Sequence, residues 1–400
     1  MSELFFLPNW PVQAEQIPWY AVLLLAALLA GEAAWRVRLP RVLGWVLAGM
    51  ALGPSGFGIV DRAALGGLDG LLEIAMGLIL FELGQRVDMR WLRRNPWLLA
   101  TSLLESGLAF AAIFAVLLLV GAKPLLAATA AAIALATGPA VVLTLVKQLR
   151  AQGQVSERML ALTSLNNAYA FVLWSLLLAW LHAEYRGGWL AVAAHPLYLI
   201  FGSLALAAVL SALTLALLAL LGRRTDAQFV CLIALVVLSV SAASMLKLSV
   251  VLSLLAYGTL TRAFDKDRRF VSLDFGRTGQ ILVMLLFGIT AADLELSLLP
   301  AGAATAAALI AARYAGKTLG IFALARPSGL SLRKASLLSL GLMPMSGVAL
   351  IMARETSTSY PELGPALVTV VLSAIAMLEL LGPLLAHFAI VRAGEAAEEI

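Results

Sequence analysis

A chain of 400 residues that is 62% hydrophobic and 13% charged, with mean hydropathy +0.96, cannot hide its apolar surface in a water-soluble fold. The single cysteine, Cys231, excludes an internal disulfide and a thiolate metal site, and three scattered histidines (His182, His195, His387) give no reason to expect a metal or any cofactor. The net charge of +5 comes from basic residues in short loops between apolar runs, which points to a lipid bilayer and away from nucleic acid.

Thirteen stretches approach the ~20 mostly apolar residues that a membrane helix needs. In chain order they are 17–35, 41–60, 66–85, 97–120, 124–146, 159–182, 193–221, 226–246, 248–263, 278–296, 300–325, 334–353 and 363–391. The expected fold is therefore an all-α integral membrane protein of about 13 transmembrane helices, forming a single membrane domain over 1–400. The first stretch is read as a retained helix, because residues 1–16 contain no Lys or Arg and so lack the basic start of a secretion signal. Connections after odd-numbered stretches carry twenty Lys and Arg, and those after even-numbered ones carry five: Arg62, Lys123, Arg186, Lys247 and Arg354. Basic loops stay on the cytoplasmic side. The expectation is a multi-pass protein of the cell (inner or plasma) membrane, N-terminus outside and C-terminus in the cytoplasm.

Two stretches are interrupted. The fifth reads Ala136-Thr137-Gly138-Pro139 near its middle, and the twelfth Leu342-Met343-Pro344-Met345-Ser346-Gly347. Proline removes a backbone donor and glycine weakens a helix. The breaks lie seven stretches apart, an odd shift, so the two halves would lie in opposite orientations. This predicts inverted repeats over 17–182 and 226–391, joined by a linker helix at 193–221. Paired broken helices at matching positions point to a transporter's binding site, which makes Thr137, Gly138, Pro344 and Ser346 candidates.

Charge inside a span is costly and functional by default. Arg313 and Lys317 lie one turn apart in the eleventh stretch. Glu73, Glu105 and Glu379 lie inside the third, fourth and thirteenth and are candidate partners or proton carriers, whereas Glu32 and Glu82 lie nearer helix ends and are expected to be solvated. The sixth stretch carries adjacent amides, Asn166 and Asn167, which fit either an ion site or hydrogen bonding between helices.

The run Leu39-Pro40-Arg41-Val42-Leu43-Gly44-Trp45 through Ala48-Gly49-Met50-Ala51-Leu52-Gly53-Pro54 resembles the second helix of the cation:proton antiporter superfamily, which carries the sodium/hydrogen exchanger domain. Phe81-Glu82-Leu83-Gly84 with Asp88 is similar to the end of the third helix in its Kef-type members, and the resemblance extends to the NhaP-type ones. Residues 136–140 and 341–350 resemble the two broken helices that cross in that fold. The resemblance implies exchange of a monovalent cation (Na⁺ or K⁺) for protons by alternating access, no enzymatic activity, and a homodimer. It places the family's ion-binding pair at Asn166 and Asn167, where the second position is ordinarily an aspartate, and its basic residue at Arg313 or Lys317. The missing aspartate leaves open a different titrating group among Glu73, Glu105, Glu379 and Lys317, an anion or organic-acid carrier, or a relative that transports nothing.

Overall fold

Uninterrupted apolar runs become single helices, and the Gly–Pro clusters become the places where helices stop. In the computed structural model, residues 19–67, 69–87, 89–186, 189–222, 225–265, 276–345, 347–361 and 364–397 are described. Ser346 and Asp88 lie outside them.

The first half comprises α1 (Trp19–Arg36), α2 (Arg41–Leu52), the short α3 (Arg62–Gly66), α4 (Asp69–Arg86), the short α5 (Met89–Arg94), α6 (Pro96–Leu119), α7 (Pro124–Ile133), α8 (Pro139–Gln148) and α9 (Gln154–Arg186). α10 (Trp189–Leu221) follows. The second half comprises α11 (Thr225–Met245), α12 (Val250–Phe264), α13 (Gly276–Ala292), α14 (Leu299–Ala323), α15 (Leu332–Gly341), α16 (Gly347–Ser359) and α17 (Gly364–Arg392). There is no strand among the described residues. Among the described residues six helical stretches, which include all or most of α6, α9, α10, α11, α14 and α17, are each long and apolar enough to cross a bilayer. The fifth and twelfth stretches are split as expected, into α7 and α8 and into α15 and α16. The second stretch ends as a helix eight residues early, at Leu52, because Gly53-Pro54-Ser55-Gly56 turns the chain. Ser55 Oγ then donates to Leu294 O, 2.8 Å away, tying this turn to the end of α13.

Where lipid surrounds the helices, close backbone approach supplies the packing, and glycine permits it. A Cβ at Gly49 of α2 would stand 2.2 Å from Gly288 O of α13, and one at Gly258 of α12 would stand 2.1 Å from Phe81 O of α4. A further seam of this kind lies between α14 and α6. There a Cβ at Gly316 would be 2.5 Å from Ala109 Cα, and one at Gly320 would be 2.3 Å from Glu105 Cα. The two glycines are one turn apart, so α14 presents a smooth groove to α6 with Lys317 set between them.

The C-terminal residues are part of this scaffold. The Glu395 carboxylate accepts from Val155 N (2.9 Å) and from Ser156 N and Oγ (2.8 and 2.9 Å), at the start of α9. An anion at a helix N-terminus satisfies donors that have no partner within the helix and complements the helix dipole. Ala397 N also donates to Leu149 O (3.0 Å), closing the α8–α9 connection over the end of α17.

Candidate ion-binding site

The broken segments 134–138 and 342–346 meet directly. Gly138 N, at the head of α8, donates to Pro344 O at 2.8 Å. Pro139 opens α8 without needing a donor of its own, which is why the helix restarts there. On the other side α7 and α15 end and leave carbonyls with no helical partner.

Arg313 answers those carbonyls. Its side chain is fully buried, and it donates to Ala134 O, to Ala136 O (3.1 Å) and to Leu342 O (3.1 Å). Thr137 Oγ1 and Pro344 O lie at 3.4 and 3.5 Å. One guanidinium thus clamps both broken segments, using the planar fork that lysine lacks. Its charge faces the carbonyl-rich, electronegative ends of two helices.

Lys317, one turn on, is equally buried but differently neutralised. Its Nζ lies 2.9 Å from Glu105 Oε2 on α6, and both side chains have zero exposure. Ser106 continues the path. Its Oγ lies 3.5 Å from Glu105 Oε1 and donates to Asn166 Oδ1 at 3.0 Å. Asn166 Nδ2 in turn donates to Thr137 Oγ1 at 3.3 Å. A single buried polar chain therefore runs Lys317–Glu105–Ser106–Asn166–Thr137–Arg313, across α14, α6, α9 and the first break.

Asn167 has a definite task. Its Nδ2 donates to Thr137 O and to Thr163 O, both at 2.8 Å, bracing the first break against α9. A carboxylate could make neither bond. Its Oδ1 and the Thr163 Oγ1 beside it have no hydrogen-bond partner among the described residues.

Of the residues singled out from sequence, the structure gathers Thr137, Gly138, Asn166, Asn167, Arg313, Lys317, Pro344 and Glu105 at this crossing. Ser346 lies outside the described residues. Glu379 of α17 is 2% exposed and stands near the second break without joining the chain of hydrogen bonds. Glu73 is exposed on α4 and is not among these buried groups. Glu32 is partly exposed as expected, but Glu82 departs from expectation: it is 4% exposed and ion-paired to Lys147 Nζ at 2.6 Å. The C-terminal end of α8 brings that lysine over it, a contact that position along α4 alone did not reveal. The same end of the bundle holds a cavity of about 1260 Å³ whose lining includes Arg41, Glu82, Arg86, Arg90, Lys147 and Arg262. Residues that sequence reasoning passed over are Ser106 and Thr163. The only signal for Ser106 was its place one residue after a buried glutamate.

The profile of the transmembrane sodium/hydrogen exchanger family matches residues 21–387. Over 75 residues the chain is 39% identical to the iron transporter MagA of Paramagnetospirillum magneticum, covering 18% of this chain and 17% of that protein. Over 74 residues it is 38% identical to the probable Na⁺/H⁺ antiporter GerT of Bacillus cereus, covering 18% and 19%. The chain thus spans under a fifth of the length of these two relatives. Among solved structures, the sodium proton antiporter MjNhaP1 of Methanocaldococcus jannaschii at pH 8 superposes with a TM-score of 0.68 at 15% identity, over 93% of this chain and 94% of that one. A second structure of the same antiporter matches over 97% and 100% with the same score. At that identity the likeness establishes the fold.

Proposed function

The chain belongs to the transmembrane sodium/hydrogen exchanger family, and from that premise we propose that it exchanges a monovalent cation, Na⁺ or K⁺, for protons at the Lys317–Glu105 pair. The observation that carries the reading is this fully buried ion pair, wired through Ser106 and Asn166 to the crossing of the broken segments. Exchange needs one group that a proton and a cation contest. Asn167 is not such a group, since an amide does not titrate near neutral pH. Glu105 and Lys317 together are.

A cation entering the crossing takes the place of the Lys317 ammonium on the Glu105 carboxylate, with Ser106 Oγ and Asn166 Oδ1 as neighbouring oxygens. Lys317, now without its partner in a buried site, releases its proton. Reprotonation of Lys317 expels the cation. The ion pair alone is neutral, and so is the deprotonated pair (charge −1) with its bound monovalent cation, so this site exchanges one cation for one proton. Alternating access would move the crossing between two faces, and the paired breaks of two inverted repeats, 17–182 and 226–391 about the linker 193–221, give it two equivalent walls. α12 against α4 and α13 against α2 pack through glycine in the same way, which supports the reading of a repeat.

The reading includes a homodimer in the cell membrane with the N-terminus outside, which puts the basic cavity at the cytoplasmic face. Against an anion carrier stands the neutralisation of both buried cations, one by carbonyls and one by a carboxylate.

The test is proton flux in proteoliposomes with an imposed pH gradient. Addition of Na⁺ or K⁺ is expected to dissipate the gradient in wild type and not in Glu105→Gln. A wild type silent to every alkali cation across a broad pH range would refute the reading.

A further inference from the structure

Glu379 has no use in the exchange cycle above and, unlike the buried carboxylates of Glu82 and Glu395, no ion pair or hydrogen bond among the described residues. It is 2% exposed, and neither carboxylate oxygen has a hydrogen-bond partner among the described residues. Its helix runs directly over the second break: a Cβ at Gly382 would stand 2.8 Å from Pro344 Cα. Glu379 lies three residues earlier, on the same buried face of α17 and one turn away.

The helices packed against α17 offer it no cation. α7 carries no titratable residue. Arg313 of α14 is committed to backbone carbonyls and Lys317 to Glu105. Arg41 of α2 pairs with Glu32, Lys147 of α8 with Glu82, and Arg354 of α16 with Asp293. Glu355 of α16, a like charge, is exposed, as is Arg333 of α15, and Lys334 of α15 is held near Glu395. His387 lies two turns further along α17. An ionised carboxylate with neither a donor nor a cation in such a site is prohibitively costly, so the stable occupant in this arrangement is a proton.

We propose that Glu379 is a second proton-binding site, separate from the Lys317–Glu105 pair, that holds its proton while α17 lies on the second broken segment and releases it when they separate. The proton leaves the carboxyl oxygen for water admitted by that separation, and no other bond changes. That this proton belongs to the transport cycle rests on the antiport reading; the site itself does not. If both sites turn over, two protons move per cation and the exchange carries net charge.

The experiment is infrared spectroscopy of the full-length protein in lipid, above the pH at which exposed carboxyls ionise. The carbonyl-stretch band of a protonated carboxyl is expected in wild type and in Glu105→Gln, and lost in Glu379→Gln. Absence of the band in wild type, or its persistence unchanged in Glu379→Gln, overturns the proposal. If Glu379→Gln does not fold, Glu379→Asp serves instead: a displaced band supports the site and an undisplaced one refutes it. Flux measured alongside is expected to show the ratio of protons to cations falling from two to one in Glu379→Gln, with an unchanged ratio removing the site from the cycle. A band assigned to Glu379 in a wild type that moves no cation would sink the antiport reading and leave the proton site standing.

Discussion

Arg313 and Lys317 are neighbours on one helix, both with zero exposure, yet they are neutralised in opposite ways. Arg313 spends its hydrogen bonds on backbone carbonyls of two broken helices, whereas Lys317 meets one carboxylate across the α14–α6 seam. A guanidinium does not lose its proton in a protein and can bridge several acceptors, so Arg313 is a structural clamp. An ammonium is a point charge that can lose its proton when buried, so Lys317 is the member to which the proposed exchange assigns the proton. The role of a buried cation in a span is set by what neutralises it, and not by its position in the sequence, where these two look alike.

The largest effect is expected from breaking the clamp. Arg313→Ala leaves carbonyls of both breaks without their donor and should cost about 5 kcal/mol or prevent folding, read as thermal unfolding in detergent. Arg313→Lys should recover only part of this, because one ammonium cannot span both segments. Lys317→Ala comes next. It strands Glu105 in a dry site at a cost of ~3–5 kcal/mol, whereas Lys317→Met combined with Glu105→Gln should return stability to within about 1 kcal/mol of wild type. Gly320→Ala tests the seam that holds the pair together. Its methyl would collide with the α6 backbone at Glu105 Cα, 2.3 Å away, and overpacking of this kind costs roughly 1–3 kcal/mol. A melting temperature unchanged from wild type would mean that the seam is looser than described. The smallest effect lies far from the crossing: Glu395→Ala removes the anion at the start of α9 and should cost about 1–2 kcal/mol, with flux per folded molecule unaltered.

The helix breaks were legible because Gly138-Pro139 and Pro344 cannot continue a helix, and the two intramembrane cations were legible because charge is so rare in an apolar span. What each cation does was not legible. Glu105 becomes the partner of Lys317 through the register of α6 against α14, a tertiary fact. The spacing of Gly316 and Gly320 hinted at it, since small residues one turn apart favour a close helix crossing. Glu82 was misjudged because its burial depends on Lys147 from a helix that is remote in sequence. The amide at Asn167, where the family resemblance leads one to expect an aspartate, makes sense only once Thr137 O and Thr163 O are seen to need donors. The functional departure and the structural role are the same atoms.

The central claim is that exchange runs through the Lys317–Glu105 pair and not merely beside it. The most direct measurement is cation-driven proton flux in proteoliposomes carrying Lys317→Met with Glu105→Gln, a variant expected to fold and melt like wild type. No flux with either Na⁺ or K⁺ is expected from this stable protein. Flux at the wild-type rate would contradict it, and would place the contested proton elsewhere in the bundle.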